Sequence, residues 1–107
     1  MTIELATLRD WIVAKLAEYV SRGIVFNVVQ GGVDTPDPSY YVDIETSHYM
    51  GRICCWSSGQ CDMEIIETCE GNQILYEWLE HVSTRNNLDS ALDTYLERVL
   101  ELEGRHE

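Results

Sequence analysis

The chain has 107 residues, 45% of them hydrophobic, and sets 19 acidic against 7 basic residues for a net charge of -12. That size predicts one domain over 1–107 with a real core, burying roughly 60–70% of the unfolded surface, and the hydrophobic content speaks for a globular and against a disordered chain. The acidity repels phosphate backbones, which argues against direct nucleic-acid binding and for a basic partner reached at salt-sensitive rates.

No stretch approaches the roughly 18 apolar residues of a membrane helix. Glu4, Arg9 and Asp10 interrupt the early apolar positions, so no secretion leader is read there and the expected location is the cytoplasm.

In chain order, Thr2 is the expected cap of a first helix, in which Leu5, Leu8, Ile12, Leu16, Tyr19 and Val20 recur at helical spacing. Trp11 sits at the edge of that stripe and Gly23 ends the helix. Ile24 to Gln30 is rich in β-branched residues and reads as the first strand. Gly31 and Gly32 then open a loop that runs through Pro36 and Pro38. The acidic Asp34 and Asp37 oppose any phosphate cradle there.

Three period-two runs follow. Tyr40 to Thr46 is the second strand, a turn spans Ser47 to Met50 with Gly51 just beyond, and Arg52 to Ser57 is the third strand. A Ser58-Gly59 turn leads to the fourth strand, Cys61 to Glu67. Glu70-Gly71-Asn72 turns into a fifth, Gln73 to His81, where a helix is the alternative. Asn87 then caps a final helix whose Leu88, Ala91, Leu92, Tyr95, Leu96, Val99 and Leu100 share one face, with Gly104 as its stop and a frayed tail after it.

Helix, meander, helix predicts a two-layer α+β architecture: an antiparallel sheet of four to five strands with both terminal helices packed on one face. Each helix needs a sheet to cover its stripe, and an antiparallel sheet tolerates water on its other side.

Little in this pattern suggests catalysis. His48, His81 and His106 fall in a turn, a strand end and a tail, outside any catalytic signature. A flat face of several carboxylates lacks the pocket that separates the pKa values of an acid–base pair. Cys54, Cys55, Cys61 and Cys69 crowd the middle third without metal-ligand spacing, so buried or half-buried thiols are expected, with no metal and no cofactor.

Binding is better supported. Strand parity turns Tyr41, Asp43 and Glu45, then Arg52, Cys54 and Trp56, then Asp62, Glu64 and Ile66 away from the helices, and Glu77 is expected to extend that face on the fifth strand. Aromatic residues anchor protein interfaces, and carboxylates around them pair with a partner's Lys or Arg. The candidate partner-binding residues are therefore Tyr41, Asp43, Glu45, Arg52, Trp56, Asp62, Glu64 and Glu77.

The run Tyr40 to Glu45, then Gly51-Arg52-Ile53, then Trp56-Ser57-Ser58-Gly59-Gln60-Cys61-Asp62-Met63-Glu64 resembles the TriTu family of bacterial immunity proteins. The flanking helices are similar too, so the resemblance covers nearly all the chain. It implies a cytosolic antidote to a polymorphic or contact-dependent growth-inhibition toxin. The implied partner is the toxin's C-terminal domain, a basic nuclease that cleaves tRNA, bound one to one by a monomer. The resemblance supplies no catalytic residue. An acidic secretion chaperone, which would be an obligate dimer, and a small hydrolase or metal enzyme are the readings from other classes.

Overall fold

A computed structural model describes residues 4–30, 39–56, 58–79, 82 and 84–105. Helix α1 (Leu5–Ala17) is followed by β1 (Val25–Gln30), β2 (Ser39–Glu45), β3 (Tyr49–Trp56), β4 (Cys61–Glu67), β5 (Gln73–Leu79) and α2 (Arg85–Gly104). The strands form one antiparallel sheet in chain order, β1-β2-β3-β4-β5, an open meander with β1 and β5 at its edges. The expected α+β architecture is present, with five strands, and the fifth is a strand and not a helix.

Period-two alternation sorts the side chains. Val42 and Ile44 of β2, Ile53 and Cys55 of β3, and Cys61, Met63 and Ile65 of β4 are buried, and they join Leu8, Ile12 and Leu16 of α1 and Leu88, Leu92, Leu96 and Val99 of α2 in one core. Both helices therefore cover the same side of the sheet. Trp11 packs against this core from its margin.

A polar seam aligns the two helices. Lys15 Nζ lies 3.0 Å from an Asp93 oxygen, and the Tyr19 hydroxyl donates to Asp93 at 3.0 Å. Arg22 grips Glu97 bidentately at 2.7 and 2.6 Å. Burial pushes the Asp93 carboxyl up, but the hydrogen bonds from Lys15 and Tyr19 outweigh it and hold its pKa below the ordinary value. Among the described residues no helix is long and apolar enough to cross a membrane.

Several sequence readings need revision. Thr2, the loop of residues 31–38, Ser57 and the tail end at 106–107 lie outside the described residues, as do His81 and the other end of the fifth run at Glu80. The first helix ends at Ala17, and a 3-10 turn over Val20–Arg22 carries the chain to Gly23, whose φ of 102° favours glycine. Val20 consequently leaves the apolar stripe and is exposed.

Strand β3 starts at Tyr49, so Gly51 lies inside it and not beyond a turn. A Cβ at Gly51 would sit 2.0 Å from the Tyr95 hydroxyl. That hydroxyl donates to the backbone carbonyl of Glu64 at 2.6 Å. Glycine is present to let the tyrosine of α2 reach the sheet backbone.

At the start of α2 the cap is Thr84 and not Asn87. The Thr84 hydroxyl accepts the Asn87 amide at 3.2 Å, which satisfies one of the helix's orphan donors. Cys55 and Cys61 stand opposite each other across β3 and β4, Cα atoms 4.2 Å apart, and are joined as a disulfide. The expectation of buried or half-buried thiols holds for Cys54, whereas Cys69 is a free thiol but exposed.

Candidate functional site

The side of the sheet away from the helices is laid out in rows by the strand register. One row runs Val25, Glu45, Met50, Ile66, Gln73; the next runs Asn27, Asp43, Arg52, Glu64, Tyr76; a third passes through Tyr41, Cys54, Asp62, Trp78. Trp56 lies beyond the third row, opposite Ser39. Tyr41, Asp43, Glu45, Arg52, Trp56, Asp62 and Glu64 therefore share this face, as their parity predicts.

Glu77 does not. It pairs with Met63, a core residue, and so points to the helix side of β5. The reason is a bulge. Ile65 pairs with Leu75 and Ile66 with Gln73, which leaves Ile74 as an extra residue on β5. Regular pairing onward from Ile66 and Gln73 would have set Glu77 opposite Asp62, two like charges in one cross-strand pair. One inserted residue reverses the faces of everything after it. In place of Glu77 the bulge presents Tyr76 and Trp78, 52% and 48% exposed. The alternation of Ile74, Tyr76 and Trp78 with Leu75, Glu77 and Leu79 is visible in the sequence, but which set faces out depends on the bulge.

The face has an aromatic corner and a charged middle. Trp56 and Trp78 rings lie 6.1 Å apart at 48°. Trp56 is half-buried against its neighbour, whereas Trp78 stands further out. The Tyr76 hydroxyl donates to Asp62 at 3.0 Å, and this bond, with some burial, raises the tyrosine pKa.

Arg52 donates to both oxygens of Asp43, at 2.6 and 3.1 Å, and stacks 4.3 Å over the Tyr41 ring. The Asp43 hydrogen bonds raise the guanidinium pKa. Cys54 sits between these groups. Burial pushes its thiol up to about 11, the Asp62 charge adds to the shift, and it stays protonated at neutral pH.

Charge is unbalanced across this surface. In these rows Asp43, Glu45, Asp62 and Glu64 face a single cation, Arg52, which Asp43 already occupies. The Glu64 carboxylate accepts the Gln73 amide at 3.0 Å, and among the described residues neither Glu64 nor Glu45 makes an ion pair. Exposed apolar side chains lie beside these carboxylates: Val25 is 66% exposed and Met50 48%. A surface of uncompensated carboxylates interleaved with exposed aromatic and aliphatic groups suits a cationic protein better than water alone. No nucleophile–base pair or enclosed cleft accompanies it among the described residues.

No curated protein matches the sequence. A family model does: the one described as immunity protein TriTu, over residues 6–98, the span from the first turns of α1 to the late part of α2. That match takes in every strand of the sheet and all of the open face described above, and by it the chain belongs to the TriTu family of immunity proteins.

Proposed function

We propose that this protein neutralises a cognate toxin by docking the open sheet face onto a basic catalytic domain of that toxin. The observation that carries the reading is the charge imbalance of that face: Glu45, Asp62 and Glu64 have no cation partner among the described residues, and the Trp56–Trp78 pair stands at one corner of the same surface. Toxins that act on RNA need a cationic groove for phosphate, and a face of this kind is its complement. The toxin domain is a tRNA-cleaving nuclease of the polymorphic or contact-dependent type, bound in the cytoplasm as a one-to-one complex, and the protein acts by covering it and not by catalysis.

Membership of an immunity family supports the antidote role. The aromatic corner supports a protein partner over a small molecule, because Trp and Tyr bring large contact area at low rotamer cost.

The test is protection from the toxin encoded beside this chain. Wild-type protein restores growth to cells expressing the toxin domain, and the double substitution Asp62→Lys, Glu64→Lys weakens binding by at least about 2 kcal/mol and removes protection. Full protection by the doubly substituted protein, with unchanged circular dichroism, would move the docking site off this face.

A further inference from the structure

The rows of the open face differ at one end. Val25, Met50 and Ile66 give apolar lining to a depression of about 430 Å³, and Asp43, Glu45 and Glu64 line it as well. Arg52 also borders it, but with its guanidinium committed to Asp43. The depression therefore offers aliphatic surface to a long stem and two carboxylates to its charged tip. Neither carboxylate has a cation of its own among the described residues.

We propose that this depression seats one arginine side chain of the toxin, an inference that rests on the immunity reading and specifies its central contact. The stem lies on Met50, Ile66 and Val25, and the guanidinium bridges Glu45 and Glu64. Arginine fits better than lysine for two reasons. Its planar group is weakly hydrated and tolerates the apolar lining, and its forked donors serve two acceptors at once. Arg52 sharpens the choice of position. It stands between Asp43 and Glu64 in its row with its guanidinium on Asp43, so its charge holds an incoming cation to the neighbouring row, over Met50 and Ile66. Asp62 lies two strand positions along β4 from Glu64, under the Tyr76 hydroxyl, and is outside this pair.

Two measurements test the proposal. In the first, N-acetyl-arginine amide is titrated into the 15N-labelled protein, with the citrulline and lysine amides as comparisons. The arginine probe is expected to shift the backbone amides of Glu45, Met50, Glu64 and Ile66, at concentrations where citrulline shifts none and lysine shifts them several-fold less. Shifts spread elsewhere, or equal shifts from citrulline or lysine, overturn the assignment.

In the second, the toxin domain is bound to the Glu45→Gln, Glu64→Gln protein. Its thermal melt checks the fold, and Glu18→Gln, on the far side of the molecule, is the control. A loss of affinity of at least tenfold, absent in the control, is the expected result. Wild-type affinity in the double variant overturns the arginine seat while leaving the immunity reading intact. Failure of the wild-type chain to bind the toxin at all removes that reading and the toxin as donor, and the amide titration still decides whether the depression takes a guanidinium.

Discussion

Tyr95 and Gly51 show how one missing Cβ can be set by a distant element. The Tyr95 hydroxyl is buried, burial pushes its pKa up, and it remains a donor to the Glu64 carbonyl. A methyl group at Gly51 would collide with that oxygen, so Gly51→Ala is expected to cost about 1–3 kcal/mol by chemical denaturation. Combining it with Tyr95→Phe removes the nearest colliding atom, though the Glu64 carbonyl and Ile44 stay close, and the double variant should lose less than the sum of the two single changes. Strict additivity would mean that the contact does not limit packing there. The sequence sets Gly51 just beyond a turn, because a glycine near Ser47 and His48 has a ready local explanation. Nothing adjacent in the chain announces a tyrosine arriving from the last helix.

Glu103 makes a second residue-scale case. Its carboxylate accepts the His48 amide at 2.9 Å and contacts the His48 ring, tying the β2–β3 turn to the end of α2. Burial pushes its pKa up, but hydrogen bonds from His48 and Thr46 outweigh this and bring it down from 4.5 to about 2. A depressed carboxyl pKa contributes stability above the unfolded value, lost as pH falls through the folded one. Glu103→Gln should therefore be less stable than wild type at pH 7, and the gap should close as pH drops from about 4.5 towards 2. Urea midpoints at several pH values measure it. A gap of constant size would show that the charge of Glu103 is not what matters.

At the scale of elements, alternation and helical periodicity in the sequence place all five strands and both helices, because the chain's apolar residues follow those periods closely. Boundaries are less legible where two capping residues compete. Thr84 and Asn87 are both good caps, and only the position of the first helical turn decides between them. Thr84→Ala is expected to cost about 1 kcal/mol, and Asn87→Ala less, read as shifts in denaturant midpoint. Equal losses would return the cap to the pair.

The facing of β5 is illegible for a different reason. Glu77 is a charged residue in its run and so looks outward, yet the Ile74 bulge turns it inward and brings out Tyr76 and Trp78. A bulge leaves no compositional mark, but its consequence covers half of a strand. The pairing of Cys55 with Cys61 has a similar origin. Their sequence spacing fits several arrangements, and only the register of the β3–β4 hairpin sets them opposite one another.

For the whole molecule the decisive quantity is charge. A net charge of -12 does not specify a fold, but it sets the long-range field that a partner meets first. Complex formation with a basic toxin domain should slow steeply as salt rises from low to physiological strength, while dissociation changes little. Stopped-flow association and dissociation rates at several ionic strengths provide the check. A salt effect confined to dissociation would place the important charges inside the contact and not in the approach. The carboxylate part of the open face is readable from the sequence by strand parity. Tyr41, Trp56 and Ile66 are readable the same way, whereas Val25, Met50, Tyr76 and Trp78 join the face only when the strands are set side by side.

The paired indoles at one corner of this surface have a practical result. Of the chain's 3 tryptophans, Trp11 lies on the helix side and the other two stand together on the outer one. The molecule thus carries its own optical gauge. Engagement of the corner should shift emission to the blue and shield those rings from a soluble quencher such as iodide, while Trp11 supplies the steady background. Occupancy can be followed without a dye, a tag or an engineered reporter.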